Sequence, residues 1–232
     1  MVDETELEGL DPFDLLDAES ARVERHFTGA VDWSRPSGCA GWSTRDMLSH
    51  LAGVEVYNRA CVDDDMAGLF ARAAEHGVTD VHSFNDWQIR EHSARDTKEV
   101  LDEWAAANEV FRAEVRSRGR NGSMATSVGP YPVGLQTFHM AMEYATHADD
   151  VGAEVDDAER PARDEWRARF ARFVLAEQNK PVEVDAAGGR NVVRSGVEQA
   201  ELSDAELVQA SQGRLPGDHP LSPPLREALN TV

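Results

Sequence analysis

Cysteine is nearly absent from this chain of 232 residues: only Cys39 and Cys61 occur, with no Cys-x-x-Cys pair. That excludes a disulfide framework and a cysteine-based zinc knuckle. Lysine is equally scarce, with Lys98 and Lys180 alone, so the 23 basic residues are almost all arginine. No window approaches the roughly 20 consecutive apolar residues that a membrane-spanning helix needs. The first thirty residues include Asp3, Glu4, Glu6 and Glu8 and do not read as a signal peptide, so a cytoplasmic location is the simplest expectation. Positive charge is outnumbered by 43 acidic residues, and the net charge of −20 argues against nucleic acid as a partner, because phosphate backbones are bound by clustered Lys and Arg. Such a charge favours solubility. The bias towards Arg, Ala, Asp and Val is that of a GC-rich genome, as in actinobacteria or salt-tolerant organisms. Several catalytic signatures are also missing: His-Glu-x-x-His, a P-loop, a dinucleotide glycine motif and a Gly-x-Ser-x-Gly elbow. A di-iron bundle would want two Glu-x-x-His motifs, and none is present.

What the chain has is enough length to bury a full core, with 41% hydrophobic residues, and a mainly helical texture. The first helix runs from about Asp11 to Thr28, with Phe13, Leu16, Val23 and Phe27 at helical spacing. A turn-rich link from Trp33 to Trp42 leads to Ser43, an N-cap followed three residues later by Asp46 in the place of a capping-box acid. On this second helix Met47, Leu51, Val54, Asn58 and Cys61 form one stripe, and His50 lies at its edge. A shorter helix is expected around Ser83 to His92. The third long helix spans about Thr97 to Arg118, with Val100, Leu101, Trp104, Val110, Phe111 and Val115 on its apolar face. After a loop at Ser127 to Pro132, the fourth covers about Val133 to Val151.

Beyond residue 163 the pattern loosens. One more helix, Asp164 to Gln178, precedes two candidate strands, Pro181 to Asp185 and Asn191 to Ser195, joined by a hairpin turn. Ser203 and Glu206 cap a short helix ending near Ser211. The expected organisation is a helical domain over residues 10–155, a small α+β segment over 163–215 and a tail over 216–232.

Three residues stand out as a possible site: His50 on the second helix, and Glu143 and His147 four apart on the fourth. Two imidazoles and one carboxylate are a ligand set that holds a catalytic zinc and leaves its fourth position open. Residues four apart project from one helix face, as a metal site built on helices requires. The plain alternatives carry weight. On spacing alone His50 reads more readily as a hydrogen-bonded core residue, and Glu143 with His147 as a solvated pair worth about 0.2–0.5 kcal/mol. His139, one turn earlier, reads as a boundary residue rather than a fourth ligand or a substrate contact. Asp150, three residues after His147, is either an acceptor that fixes the imidazole tautomer or one more acid. Cys61 lies along the His50 face, though buried Cys usually behaves as a small hydrophobe. His26, His76, His82, His92 and His219 read as surface or loop residues.

The string from Pro36 to Ala52, Pro-Ser-Gly-Cys-Ala-Gly-Trp-Ser-Thr-Arg-Asp-Met-Leu-Ser-His-Leu-Ala, resembles the helix-two signature of the mycothiol-dependent maleylpyruvate isomerase family, within the DinB-like superfamily. Glu143-x-x-x-His147-x-x-Asp150 is similar to that family's second metal motif. The resemblance covers about residues 10–155. It implies a mainly α fold, a DinB-like up-down-down-up four-helix bundle with a short C-terminal α+β appendage. It also implies a divalent metal, zinc with nickel as the alternative, held by His50, Glu143 and His147. Residues 182–214 are similar to a shortened form of the family's C-terminal domain, and Arg214 is the one position that matches its active-site arginine. The implied activity is that of a metal-dependent, mycothiol-dependent S-transferase or isomerase, in which the metal turns a low-molecular-weight thiol into a thiolate that adds to an electrophilic substrate. The expected partners are thus a small-molecule thiol and its electrophile, without nucleic acid or membrane, and the superfamily's habit of pairing allows a homodimer. The alternative is a DinB-like module that binds metal without catalysis, in a stress or interaction role.

Overall fold

A computed structural model describes residues 3–232. The chain divides into two compact units, Asp11–Glu154 and a second made of the residues up to Leu10 together with Val155–Val232. The first is mainly helical with a small antiparallel hairpin, and the second combines helices with a three-stranded antiparallel sheet. Among the described residues no helix is long and apolar enough to cross a membrane.

The first unit begins with helix α1 (Pro12–Thr28), whose N-cap Asp11 accepts from the N–H groups of Phe13 and Asp14. Helix α2 (Thr44–Val62) starts at the capping box of Ser43 and Asp46 that the sequence announces. Then come α3 (Met66–Glu75), α4 (Val81–Ser93) and α5 (Thr97–Arg118), a hairpin of β1 (Ser123–Thr126) and β2 (Gly129–Pro132), and α6 (Val133–Val151). Helix α1 packs along α6 and against α5, while α2 packs on α4 and α5 and touches α6 more sparsely. Their shared interior is built from Leu16, Val23 and Phe27, Met47 and Leu51, Trp104 and Phe111, and Phe138 and Tyr144.

Four features of this unit differ from the sequence reading. Helix α3 was hidden by the acidic run Asp63-Asp64-Asp65 and by Gly68; in the fold Asp65 caps it, accepting from the Gly68 N–H, and Met66, Leu69 and Ala73 are buried at helical spacing. The stretch around Pro130 and Pro132 is the second strand of a hairpin, with Thr126 paired to Gly129, and an edge strand tolerates both prolines. On α2 the buried arc is wider than one stripe: Val54 is half-exposed, whereas Glu55 is buried. A helix flanked by α4 on one side and α5 on the other has little solvent face left. His92, read as a surface residue, is buried on α4, which packs on α2, and its Nδ1 lies 2.7 Å from the Gln88 carbonyl.

The second unit holds a short helical turn at Thr5–Leu7, helix α7 (Arg160–Glu177), a three-stranded sheet in the order β3 (Glu183–Ala187), β4 (Arg190–Ser195) and β5 (Glu198–Ser203), and helices α8 (Asp204–Ser211) and α9 (Pro223–Leu229). Gly188 and Gly189, with φ of +58° and +78°, form the two-residue turn between β3 and β4, a left-handed pair that glycine adopts without strain. Strand β5 escaped the sequence reading because Glu198-Gln199-Ala200-Glu201 is mostly polar; only Leu202 is buried. Residues 216–232 are not a loose tail. Leu221, Leu225 and Leu229 join Val193, Leu202 and Leu207 in one core, and Pro223 and Pro224 open α9, where the missing N–H groups cost nothing. His219, also read as a loop residue, is half-buried 3.3 Å from Glu206. Arg172 joins the N-terminal segment to α7, donating from Nε and Nη2 to Glu6 at 3.0 and 2.8 Å.

Candidate metal centre

Helices α2 and α6 each deliver part of one cluster. His50 Nε2 lies 2.9 Å from Glu143 Oε1 and 3.1 Å from His147 Nε2, and His147 Nε2 lies 3.2 Å from Glu143 Oε1. The three residues singled out in the sequence therefore point one donor atom each at a common centre. Tetrahedral ligands about 2.0–2.1 Å from a zinc stand about 3.3 Å from one another, so this triangle has the dimensions of a donor set closed around one small cation. The donor chemistry also fits, being two imidazole nitrogens and one carboxylate oxygen. Both histidine side chains are almost fully buried, at 5% and 8% exposed, whereas the Glu143 side chain is 32% exposed and marks the open flank of the cluster.

The electrostatics are those of a cation-seeking pocket. For His50 burial dominates and lowers its pKa, with the neighbouring His147 adding to the effect against the hydrogen bond to Glu143. For His147 burial also works against the charged form, but the Glu143 carboxylate and the hydrogen bond to Asp150 outweigh it and hold its pKa well above the ordinary value. Burial likewise opposes ionisation of Glu143, and His147 together with hydrogen bonds from both imidazoles reverses this, holding its carboxyl well below the usual range.

A second layer orients the first. His147 Nδ1 donates to Asp150 Oδ2 at 2.9 Å, which leaves Nε2 for the cluster. Asp150 is itself held by the link before α2: the Gly38 N–H donates to its carbonyl at 2.8 Å and the Cys39 thiol to its carboxylate at 3.3 Å. Trp42 lies against His50, ring centres 5.1 Å apart. Gly38 is required by contact, because a Cβ there would stand 2.2 Å from Asp150 Oδ1 and 3.0 Å from its Cα. If the cluster holds a metal, Gly38→Ala and Asp150→Ala should each weaken its binding by about 10- to 100-fold, the usual cost of losing an outer partner of a ligating histidine. Competition with a chromophoric chelator measures it, and wild-type affinity in both variants would remove Asp150 from the site.

Other sequence candidates fall elsewhere. Cys61 is buried beside Met66, 3.7 Å between sulfurs, and burial pushes its thiol up to about 11; the cysteine beside the cluster is Cys39. Nothing in helical periodicity could have found Cys39, since it lies in an irregular link. His139 is half-buried near Tyr131, its Nε2 3.4 Å from the hydroxyl. Arg214 belongs to the second unit, after α8, where its Nη1 donates to the Gln212 carbonyl.

Residues 13–152 match the family model described as the mycothiol maleylpyruvate isomerase N-terminal domain. No curated protein sequence matches the chain. Two solved structures resemble it. One is of a mycothiol-dependent maleylpyruvate isomerase, 16% identical with a TM-score of 0.51, covering 72% of this chain and 67% of that one. The other is of a histidine-to-alanine mutant of a mycothiol-dependent maleylpyruvate isomerase, 14% identical with a TM-score of 0.58, covering 88% of each. At these identities the likeness is one of fold, and a match of the second extent reaches beyond residue 154 into the C-terminal unit.

Proposed function

The chain belongs to the family of the mycothiol maleylpyruvate isomerase N-terminal domain, and from that premise we propose that it is a metal-dependent, mycothiol-dependent isomerase or S-transferase. His50, Glu143 and His147 hold one divalent metal, zinc or nickel, and α1, α2, α5 and α6 form the up-down-down-up bundle that carries them. The observation that supports this most is the convergence of three donor atoms from two helices within the matched residues.

Bound there, a zinc supplies a Lewis acid that lowers the pKa of a coordinating thiol, so that a thiolate nucleophile is present at neutral pH. The chain's own residues do the rest. Asp150 holds the proton on His147 Nδ1 and keeps Nε2 turned to the cluster. Trp42 and the buried flank of α2 exclude water from the His50 side. The partly exposed Glu143 edge is where a thiol and a small electrophile reach the centre. Arg214 is assigned, on the family resemblance, to binding an anionic substrate, for which a guanidinium fork suits a carboxylate. A soluble cytoplasmic setting accords with the acidic composition, and a homodimer is allowed.

The test is turnover. Zinc- or nickel-loaded protein with maleylpyruvate and mycothiol should isomerise the cis alkene, detected by its absorbance change, and show no rate without the thiol. Arg214→Ala should raise KM for the anionic substrate by about tenfold or more. Metal binding with no thiol-dependent rate on maleylpyruvate or on activated alkenes, epoxides and halides would instead leave a metal-binding module without catalysis.

A further inference from the structure

We infer that Glu55 and Tyr144, which take no part in ligation, are positioning residues for the metal centre: their buried hydrogen bond fixes α6 against α2 and so sets where Glu143 and His147 meet His50. The inference rests on the metal-binding reading above and deepens it.

Glu55 is 3% exposed; the groups that donate hydrogen bonds to its carboxylate are neutral, and the Arg112 charge acts on it from farther off. Tyr144 donates its hydroxyl to Oε1 at 2.5 Å, Asn108 donates to the same oxygen at 3.0 Å, and Asn58 donates to Oε2 at 3.2 Å. Trp104 Nε1 donates to the Tyr144 hydroxyl at 2.9 Å. Arg112 extends the network, donating to Asn108 Oδ1 at 2.9 Å and to Asp17 on α1 at 2.7 Å. All four long helices of this unit are thus joined by one set of polar contacts, which runs from the buried Glu55, Asn58, Asn108 and Tyr144 out to the partly exposed Arg112 and Asp17.

Its location gives it a purpose. Tyr144 follows Glu143 directly and precedes His147 by three residues, and Glu55 lies five residues after His50, about 7.5 Å along α2. The Tyr144–Glu55 bond therefore crosses between the same two helices as the metal triangle, within about two turns of it. Direct packing of α2 on α6 is sparser than α2 on α5 or α1 on α6. Apolar contacts alone would tolerate sliding and repacking of that pair. A hydrogen bond closes only within a few tenths of an ångström, and a buried polar group left unmatched is costly, so the network selects one register. A leucine in place of Glu55 would pack without that constraint, and a centre loosened by about 1 Å loses its ligand geometry.

The network also names its own conservative variant. Asn58 Oδ1 is buried and has no hydrogen-bond partner. In Glu55→Gln the oxygen still accepts from Tyr144 and Asn108, and a turned Asn58 amide accepts from the new N–H. The experiment uses the full chain and Co(II), with affinity from chelator competition and ligand geometry from the visible absorption of the bound ion. Tyr144→Phe and Glu55→Leu should bind Co(II) about tenfold or more weakly, with altered band positions, while Glu55→Gln stays within about threefold of wild type with an unchanged spectrum. Tyr144→Phe is nearly isosteric and decides the matter if Glu55→Leu does not fold. Wild-type affinity and spectrum in Tyr144→Phe would overturn the inference and leave the metal reading intact. Failure of the wild-type protein itself to bind Co(II) would overturn both.

Discussion

If His50, Glu143 and His147 hold a metal as proposed, His147→Ala is expected to lose it. A zinc site releases roughly 10–16 kcal/mol on binding, so one ligand among three or four accounts for about 3–4 kcal/mol, or more than a hundredfold in affinity. His147 has the larger claim of the two histidines, because it spans both layers: Nε2 faces His50 and Glu143, and Nδ1 is held by Asp150. Its loss also leaves the nearly buried Asp150 carboxylate without the imidazole that balances it. Elemental analysis of the purified protein after dialysis measures the effect directly. About one divalent ion per chain in the wild type, and a small fraction of that in His147→Ala and His50→Ala, is the expected result. Equal metal content in wild type and both variants would place the metal elsewhere. No metal in any of them, with stability unchanged, would make both histidines ordinary interior residues.

The second large effect is on stability. Trp104 is 1% exposed on α5, meets Phe27 edge-on at 5.8 Å and stacks on Tyr144 at 6.2 Å, where its Nε1 also donates a hydrogen bond. Trp104→Ala removes the largest fully buried side chain at the point where α1, α5 and α6 meet. The expected loss is about 3–5 kcal/mol, part transfer free energy and part cavity. With a urea dependence of about 2 kcal/mol per molar, the unfolding midpoint should fall by about 2 M, read by far-UV circular dichroism. Trp104→Phe should recover a substantial part of this, since it refills the apolar volume and forfeits the hydrogen bond. A midpoint within about 0.3 M of wild type in Trp104→Ala would mean that this junction is not the core of the unit.

The legibility of the chain follows the range of the interactions involved. The Ser43–Asp46 and Ser203–Glu206 capping boxes were readable because a cap is made by residues three apart, and both are formed. The spans of α1, α5 and α6 were readable because their apolar residues repeat at helical spacing over several turns. Helix α3 and the hairpin of β1 and β2 were not, because Gly68, Pro130 and Pro132 speak locally for a loop while distant packing decides otherwise. Helix α9 was missed for the same reason. Its prolines suit a first helical turn as well as a tail, and only the core formed by Leu221, Leu225 and Leu229 with the sheet selects the helix.

By itself the sequence determined a mainly helical, strongly acidic protein without a disulfide framework, and it set Glu143 and His147 on one face of one helix, because composition and periodicity are carried by neighbours along the chain. The tertiary structure decided the rest of the centre. It brought His50 to Glu143 and His147 across 93 and 97 residues, placed Cys39 rather than Cys61 beside the cluster, and buried Glu55 among neutral donors. Those outcomes depend on which helix faces meet and at what register. That is settled by the packing of side chains far apart in sequence, which no local pattern encodes.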